Sequence, residues 1–219
     1  MNPSREVVIT GVGVVSPIGI GRQAYWQSLV EGHSGVAPLT LFDGKSLPVS
    51  FGAELKNFDA RQYVRPRKAL KVMCREIQTA FSAAMLAVED AELDPTRTVP
   101  ERMGSVFGSQ MLYGDVLELV DLYRGCMVDG QFCYDRFGEQ VPSRLFPLYM
   151  LKHLPNMASC HVAIALDARG PNNTIVLGEV SGLLALIEAS QVIRRGAADV
   201  MMVGAAGTRI CLTSWMYRG

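Results

Sequence analysis

Thiols and imidazoles are the side chains of this sequence that most readily act as nucleophiles, bases or metal ligands. The sequence holds five cysteines and three histidines: Cys74, Cys126, Cys133, Cys160, Cys211, His33, His153 and His161. The odd cysteine count and the absence of any Cys-x-x-Cys pair predict reduced thiols. Because no histidine stands at metal-ligand spacing from a cysteine, we predict no bound metal, and nothing else in the sequence indicates a cofactor.

A cluster of basic residues surrounds the start of a predicted helix. Its members are Arg65, Arg67, Lys68, Lys71 and Arg75. The whole chain has 21 basic and 21 acidic residues and no net charge, so this local excess could steer an acidic partner towards one surface. The alternative is an ordinary solvated helix face.

Strands and helices alternate along the chain and must position these residues. We predict strands at 6–15, 102–109, 174–177 and 199–204, and helices at 24–30, 67–92, 115–123, 147–168 with an interruption at Pro155, and 181–195. Between them, 32–66 reads as loop with short strands and 124–141 as irregular. The alternation predicts an α/β fold with a largely buried sheet.

Composition excludes several classes of protein. Hydrophobic residues make up 49% and charged residues 19%, which excludes a disordered chain. A balanced charge argues against a nucleic-acid binder that acts through a general basic field. No run of 18 apolar residues is present, so we predict no membrane span. The first residues leave no room for a signal peptide, and we expect a soluble, cytoplasmic protein.

Short motifs spread over the chain carry a family resemblance. They are the glycine-rich stretch 10–19, Trp26, 32–35, Phe42-Asp43, Ile77-Gln78, 87–91, 154–158 with His161, 170–172, and 194–200 with Gly204. In this order they resemble the beta-ketoacyl-acyl carrier protein synthases over almost the whole chain. The resemblance implies a thiolase-like fold, layered α-β-α-β-α from two similar halves. This chain, 1–219, would be the N-terminal half only, a beta-ketoacyl synthase-like N-terminal domain.

In that family a buried helix follows the nucleophile, and 182–193 resembles it. The segment is apolar nearly all round, as a helix covered on several sides must be. The alternative is a core helix with one apolar face. A helix that is apolar on all sides needs a covering partner, since exposed leucines are unfavourable by about 25 cal/mol per Å² of apolar surface. The chain would then be a fragment, a cleaved product, or half of a pair of polypeptides.

The nucleophile position departs from the family pattern. The family carries a cysteine within Thr/Ser-Ala-Cys-Ala/Ser, and counting from 170–172 places Leu-Gly-Glu-Val-Ser here, with Glu179 at the nucleophile position. A carboxylate would form a mixed anhydride, so we expect no covalent acyl transfer. Glu179 either caps the following helix or fills the anion-binding turn permanently. Ser181 lacks an accompanying histidine motif and is not predicted to replace the cysteine.

The catalytic histidines and lysine of the family lie in its second half, which this chain does not contain. His33, His153 and His161 do not match those motifs, and we expect a structural role for His161. The positions of the basic residues Arg67, Lys68 and Lys71 do resemble those of a docking patch for the acidic carrier protein in that family. The resemblance therefore implies an acidic acyl carrier protein as a partner.

Three functions follow from the resemblance and its departures. The first is a non-catalytic partner of an active ketosynthase, similar to the chain-length factors of polyketide synthesis. The second is an acyltransferase or decarboxylating subunit completed by a second half, which Glu179 disfavours because its charge would repel a malonyl carboxylate. The third is a structural or binding protein without acyl chemistry. We also expect an oligomer built around 174–177, with a second copy, an active paralogue or a separate C-terminal half as partner.

Overall fold

The computed structural model describes residues 6–41, 49–110 and 114–214. In chain order its elements are β1 (Val15–Ser16), β2 (Gly19–Ile20), α1 (Arg22–Val30), β3 (Val36–Pro38), β4 (Phe51–Ala53), α2 (Arg75–Asp90), β5 (Met103–Ser109), α3 (Val116–Gly125), β6 (Met127–Val128), β7 (Gln131–Phe132), α4 (Phe137–Arg144), α5 (Tyr149–His153), α6 (Met157–Leu166), β8 (Asn172–Val176), α7 (Ser181–Arg194) and β9 (Val200–Ala205). The motif residues Phe42 and Asp43 lie outside the described residues.

A parallel sheet with the strand order β8-β5-β9 forms the centre of the described structure. All seven residues of β5 are buried, as expected for a middle strand covered on both faces. Because the three strands are parallel, their carboxyl ends lie at the same edge of the sheet. The predicted strands 102–109, 174–177 and 199–204 therefore bring three chain segments together at that edge.

The two faces of the sheet are covered by different helices. Phe107 packs in one core cluster with Ile77 of α2 and Val162 of α6. The next residue, Gly108, points to the other face, where an added Cβ would stand 2.4 Å from the Ser181 carbonyl carbon. The layers are thus α2 and α6, then the sheet, then α7, which confirms the α/β prediction and the helix at 181–195.

The predicted strand at 6–15 is wrong except at its end, because only Val15 belongs to a strand. The segment lies along α2 instead of in the sheet: an added Cβ at Gly13 would stand 1.9 Å from the Ala83 carbonyl oxygen. The Val12 amide donates to the Asp90 carboxylate at 2.9 Å. The glycines do mark a close backbone approach, but the neighbour is a helix, and Ile9 is left 71% exposed.

The predicted single helix 67–92 is divided. Residues Arg67–Val72 form a 3₁₀ helix, and α2 begins only at Arg75. Between them Met73 is extended, with φ −122° and ψ 117°, and its side chain is buried in the core. The Gln78 side-chain amide donates to the Met73 carbonyl at 2.9 Å. This bond replaces the backbone hydrogen bond that the carbonyl would accept in a continuous helix.

The stretch predicted as irregular, 124–141, contains regular structure. A hairpin pairs β6 with β7 through Asp129 and Gly130, which have φ of 48° and 79°. Two positive φ values are typical of a two-residue hairpin turn, and Asp-Gly favours it. The helix α4 begins at Phe137. By contrast, the interruption predicted within 147–168 is confirmed, because α5 and α6 are separated at 154–156.

No helix among the described residues has the length and apolar character needed to cross a lipid bilayer. In the same part of the chain, no three His, Cys, Asp or Glu side chains come together in a way that could hold a metal ion.

Candidate functional site

The turn between β8 and α7 is fixed by one buried hydroxyl. Gly178 has a φ of +61° and begins a single 3₁₀ turn, Gly178–Val180. The Ser181 hydroxyl accepts a hydrogen bond from the Leu177 amide at 2.8 Å and lies 2.8 Å from the Ser109 carbonyl oxygen. This contact ties the turn to the end of β5. Ser181 is 1% exposed, and its hydroxyl is engaged in these contacts.

A pocket of about 290 Å³ opens at the carboxyl edge of the sheet. It is formed by the end of β5, the turn before α7 and the loop that follows β9; its lining includes Gln110, Glu179, Ser181, Thr208 and Arg209. Ligands of open α/β sheets bind in this kind of place, outside the carboxyl ends of the strands. The position that the family resemblance assigns to the nucleophile therefore lies on a pocket wall.

Glu179 is paired with a residue that the sequence analysis did not select. Its carboxylate accepts a hydrogen bond from the Arg209 guanidinium, and the two groups form an ion pair. The N-cap of α7 is Val180, one residue after Glu179, and this cap makes no side-chain hydrogen bond. Glu179 was expected either to cap α7 or to fill the anion-binding turn. Its ion pair with Arg209 is a contact that neither expectation included. The signal that could have indicated Arg209 is its place just after the third parallel strand.

The loop that carries Arg209 is held against β5. The Gln110 side-chain amide donates to the Thr208 carbonyl at 2.8 Å, and the Ile210 amide donates to the Thr208 hydroxyl at 3.0 Å. These bonds fix the backbone on both sides of Arg209. The side chains of Glu179 and Arg209 remain 69% and 67% exposed, so their pair contributes only about 0.2–1 kcal/mol to stability.

No thiol lines this pocket within the described part of the chain. Cys74 and Cys211 line a second, larger cavity of about 1,030 Å³, which shares Gly207, Thr208 and Arg209 with this pocket. Burial raises the pKa of the Cys74 thiol to about 12, and burial also raises the pKa of Cys211. Both thiols are therefore protonated at neutral pH and poor nucleophiles.

The three histidines lie in three different places, and none of them lines the pocket. His33 pairs with Glu31 at 3.3 Å on the surface. His153 stacks on the Tyr149 ring with the centroids 4.7 Å apart. His161 is 9% exposed within α6, and burial lowers the pKa of its imidazole, as expected for a structural histidine.

The basic surface consists of Arg67, Lys68 and Lys71, which are all exposed. They lie on the 3₁₀ helix, in which residues three apart eclipse each other, so Lys68 and Lys71 share one side. They do not lie in the first turn of an α-helix, as the prediction for 67–92 implied. Arg75 is engaged elsewhere: its guanidinium lies 4.7 Å from the centroid of the Phe58 ring and donates to the Leu55 carbonyl at 3.3 Å.

Comparison with known proteins agrees with this architecture. Over 98% of this chain, the sequence is 34% identical to the 3-oxoacyl-[acyl-carrier-protein] synthase 2 of Synechocystis sp.. Over the whole of this chain, it is 31% identical to the Staphylococcus aureus protein of the same name. It spans about half of these relatives, 48% and 49%.

Solved structures show the same fold. The ishigamide ketosynthase/chain length factor superposes with a TM-score of 0.73 at 25% identity, covering 96% of this chain and 49% of that one. A type II polyketide ketosynthase in complex with its acyl-carrier protein, AntDE:AntF, gives 0.74 at 17% identity over 96% of this chain and 52% of that one, which supports the fold alone.

A family model supplies the last comparison. The model of the beta-ketoacyl synthase N-terminal domain matches residues 4–218. The chain therefore belongs to the beta-ketoacyl synthase family, has the thiolase-like α/β fold of that family, and corresponds to its N-terminal half.

Proposed function

We propose that this chain is the N-terminal domain of a ketosynthase homologue of fatty-acid or polyketide synthesis that carries no acyl group itself and acts as the non-catalytic partner of an active ketosynthase. The observation that carries the proposal is Glu179, at the position assigned to the nucleophile, in an ion pair with Arg209. The similarity to a ketosynthase/chain length factor supports the same role. The domain assignment, 1–219 with a C-terminal half supplied elsewhere, belongs to this proposal.

The chemistry of a carboxylate favours this role over the decarboxylating alternative. An acyl group on Glu179 would be a mixed anhydride, which water hydrolyses readily. An ionised glutamate offers only hydrogen-bond acceptors and cannot donate to a developing oxyanion. Its negative charge also opposes a malonyl carboxylate in the same pocket.

Mass spectrometry of the intact protein tests the absence of acyl transfer. After incubation with an acyl-loaded carrier protein we expect no mass increase in the wild type, because the pocket wall offers a carboxylate where a thiolate is needed. Glu179→Cys is the informative variant, since it restores a thiol at the start of α7, where the helix dipole lowers a thiol pKa. A stable acyl adduct on Glu179 or Ser181 of the wild type would refute the proposal.

The proposed carrier contact uses the basic surface. Arg67, Lys68 and Lys71 project from a short segment with no acidic residue in it, and this local excess of positive charge suits an acidic carrier helix. The nearby Asp59 is engaged by Arg61 at 2.8 Å. An acyl carrier protein is accordingly the first partner that we propose.

The proposed subunit contact uses β8 and α7. Among the described strands, β8 has a neighbour on one side only, and Val176 is 43% exposed. On α7, Leu183 and Ile187 are 68% and 56% exposed. An unpaired strand edge next to an apolar helix face suits a protein partner. The partner is an active paralogue or a second copy, and a separate C-terminal half would cover α7.

A further inference from the structure

His153, at the end of α5, is a buried histidine whose ring nitrogens make no hydrogen bond. Its side chain is 10% exposed, and within the described part of the chain neither Nδ1 nor Nε2 has a hydrogen-bond partner, although water reaches neither atom. The Tyr149 ring packs on the imidazole with the centroids 4.7 Å apart. Buried polar atoms of proteins are nearly always hydrogen-bonded, so two unsatisfied nitrogens in one ring need an explanation other than packing.

A carboxylate of α3 stands just outside hydrogen-bond distance of this ring. Glu118 Oε2 lies 3.9 Å from His153 Nε2. The other oxygen of the same carboxylate, Oε1, accepts a hydrogen bond from Lys152, the residue before His153. A hydrogen bond between a charged nitrogen and a carboxylate has an N···O distance of about 2.7–2.9 Å, so a shift of about 1 Å would form one. Glu118 can therefore bind Lys152 and His153 at the same time, one with each oxygen.

The charges around the ring determine when it takes up a proton. Burial lowers the pKa of the His153 imidazole, whereas the Glu118 carboxylate raises it. The charge of Lys152 also lowers this pKa, and Glu76 of α2 and Asp115 of α3 raise it. The 3₁₀ helix and α6 pack against α5 as well. Their titratable side chains are those of Arg67, Lys68, Lys71, Cys160 and His161. Since burial dominates, the ring is neutral at pH 7 and takes up its proton only below pH 6.5.

We propose that Glu118, Lys152 and His153 form a proton-operated clasp between α3 and α5: when His153 is protonated, its Nε2–H donates to the second oxygen of Glu118 and adds a charge-assisted hydrogen bond between the two helices. The proton comes from the solvent and returns to it when the pH rises. At neutral pH the charged contact between the helices is that of Lys152 with Glu118. This inference concerns the response of the fold to pH and uses no acyl chemistry, so it can fail while the proposed function stands.

Proton NMR of the imidazole rings tests the coupling between the ring and the carboxylate on the whole chain. The chain has three histidines, so the variants His33→Gln and His161→Gln assign the remaining signal to His153. Glu118→Gln keeps the size of the side chain and removes its charge. We expect it to lower the titration midpoint of His153 by about one pH unit relative to the wild type. Asp121→Asn changes an exposed carboxylate of the same helix and should leave the midpoint where it is.

Hydrogen exchange of the α3 amides tests the clasp itself. After correction for the intrinsic effect of pH, exchange in the wild type should slow several-fold between pH 7 and a pH below the His153 midpoint, because the added bond restrains the helix. Glu118→Gln and His153→Gln should not show this slowing. The proposal is overturned if the midpoint is the same in Glu118→Gln and the wild type, or if the α3 amides of the wild type slow no more than those of Glu118→Gln. Glu118 is 34% exposed, so we expect this variant to fold, and the comparison with it holds even if His153→Gln does not fold.

Discussion

Helices α6 and α7 are built from similar apolar residues but have different surroundings. Six of the ten residues of α6 are buried, and the helix packs against both α2 and the sheet. On α7 only Ser181, Ala185, Ala189 and Val192 are buried, and they face the sheet. Its outer face exposes Leu183, Leu186 and Ile187, whereas the large exposed apolar residue of α6 is Ile164.

The difference shows where the chain covers its own core. On one side of the sheet α2 and α6 pack against each other as well as against the strands, so the apolar residues of α6 stabilise the isolated chain. On the other side, within the described residues, α7 is the last layer, and its outer residues remain in contact with water. Apolar surface stabilises by about 25 cal/mol per Å² only when it is removed from water. A partner would therefore add most to the stability of the chain by covering the outer face of α7.

A charge placed in each helix should give the largest contrast. Val162→Asp in α6 puts a carboxylate at a fully buried position and should destabilise the fold by about 4 kcal/mol or more. Leu183→Asp in α7, at a position 68% exposed, should change the free energy of unfolding by about 0.5 kcal/mol at most. Urea unfolding measures both values. Equal losses would show that the outer face of α7 is covered within the chain.

Association should depend on the edge of β8 and the outer face of α7 and not on the outer face of α6. We expect light scattering with the correct partner, or at high protein concentration, to give a mass above the 23.9 kDa of one chain. Val176→Lys places a charge on the edge of β8 that has no neighbour among the described strands, and it should weaken the assembly at least tenfold. Ile164→Lys, at a position 75% exposed on α6, is the matched control and should leave the assembly intact. A wild type that stays a 23.9 kDa monomer with every partner contradicts the proposed interface.

The basic surface tests whether the two sides of the sheet serve different partners. It precedes α2, which packs beside α6 on one side of the sheet, so a carrier bound there would leave α7 available. Reversing both charges, Lys68→Glu with Lys71→Glu, should slow association with an acyl carrier protein several-fold, and salt should reduce the difference. Each single change should have a small effect, about 0.2–1 kcal/mol.

Arg97→Glu is the control for this experiment, since Arg97 is an exposed arginine on a short turn beyond the other end of α2. It should not affect carrier association. If the double variant binds every candidate carrier as the wild type does, the basic surface is only a solvated face, and the interpretation as a binding protein without acyl chemistry gains support.

The smallest expected effect is a dependence of stability on pH that arises in α6 and not in α7. Burial lowers the pKa of His161 below its ordinary value of 6.5, so the folded protein holds this imidazole neutral. As the pH falls below 6.5, the unfolded chain takes up this proton first, and stability decreases until the folded-state pKa is reached. His161→Gln should flatten the slope of unfolding free energy against pH in this window. An unchanged slope in His161→Gln would contradict the assignment.

Local signals in the sequence determined most of the elements around the site. The strand at 102–109 was predictable because a short apolar run bounded by turns reads as a buried strand, and the helix at 181–195 because its apolar residues are continuous and Gly196 ends it. The resemblance to the ketosynthases depends on motifs in a fixed order, which the sequence contains by itself. The position of Glu179 also follows from a count along the chain.

Contacts between distant segments decided those features of the structure that local sequence signals did not determine. Whether 6–14 joins the sheet or lies on α2 depends on Asp90, 78 residues after Val12, and on the backbone at Ala83, 70 residues after Gly13. Local periodicity does not report contacts over such separations. The break at Met73 depends on a core that buries one side chain and on Gln78, which binds its carbonyl. Arg209 and Glu179 are 30 residues apart along the chain. They meet because three parallel strands end at one edge of the sheet. Sequence spacing gives the residue types of a site, but only the packing of the strands determines which of them meet.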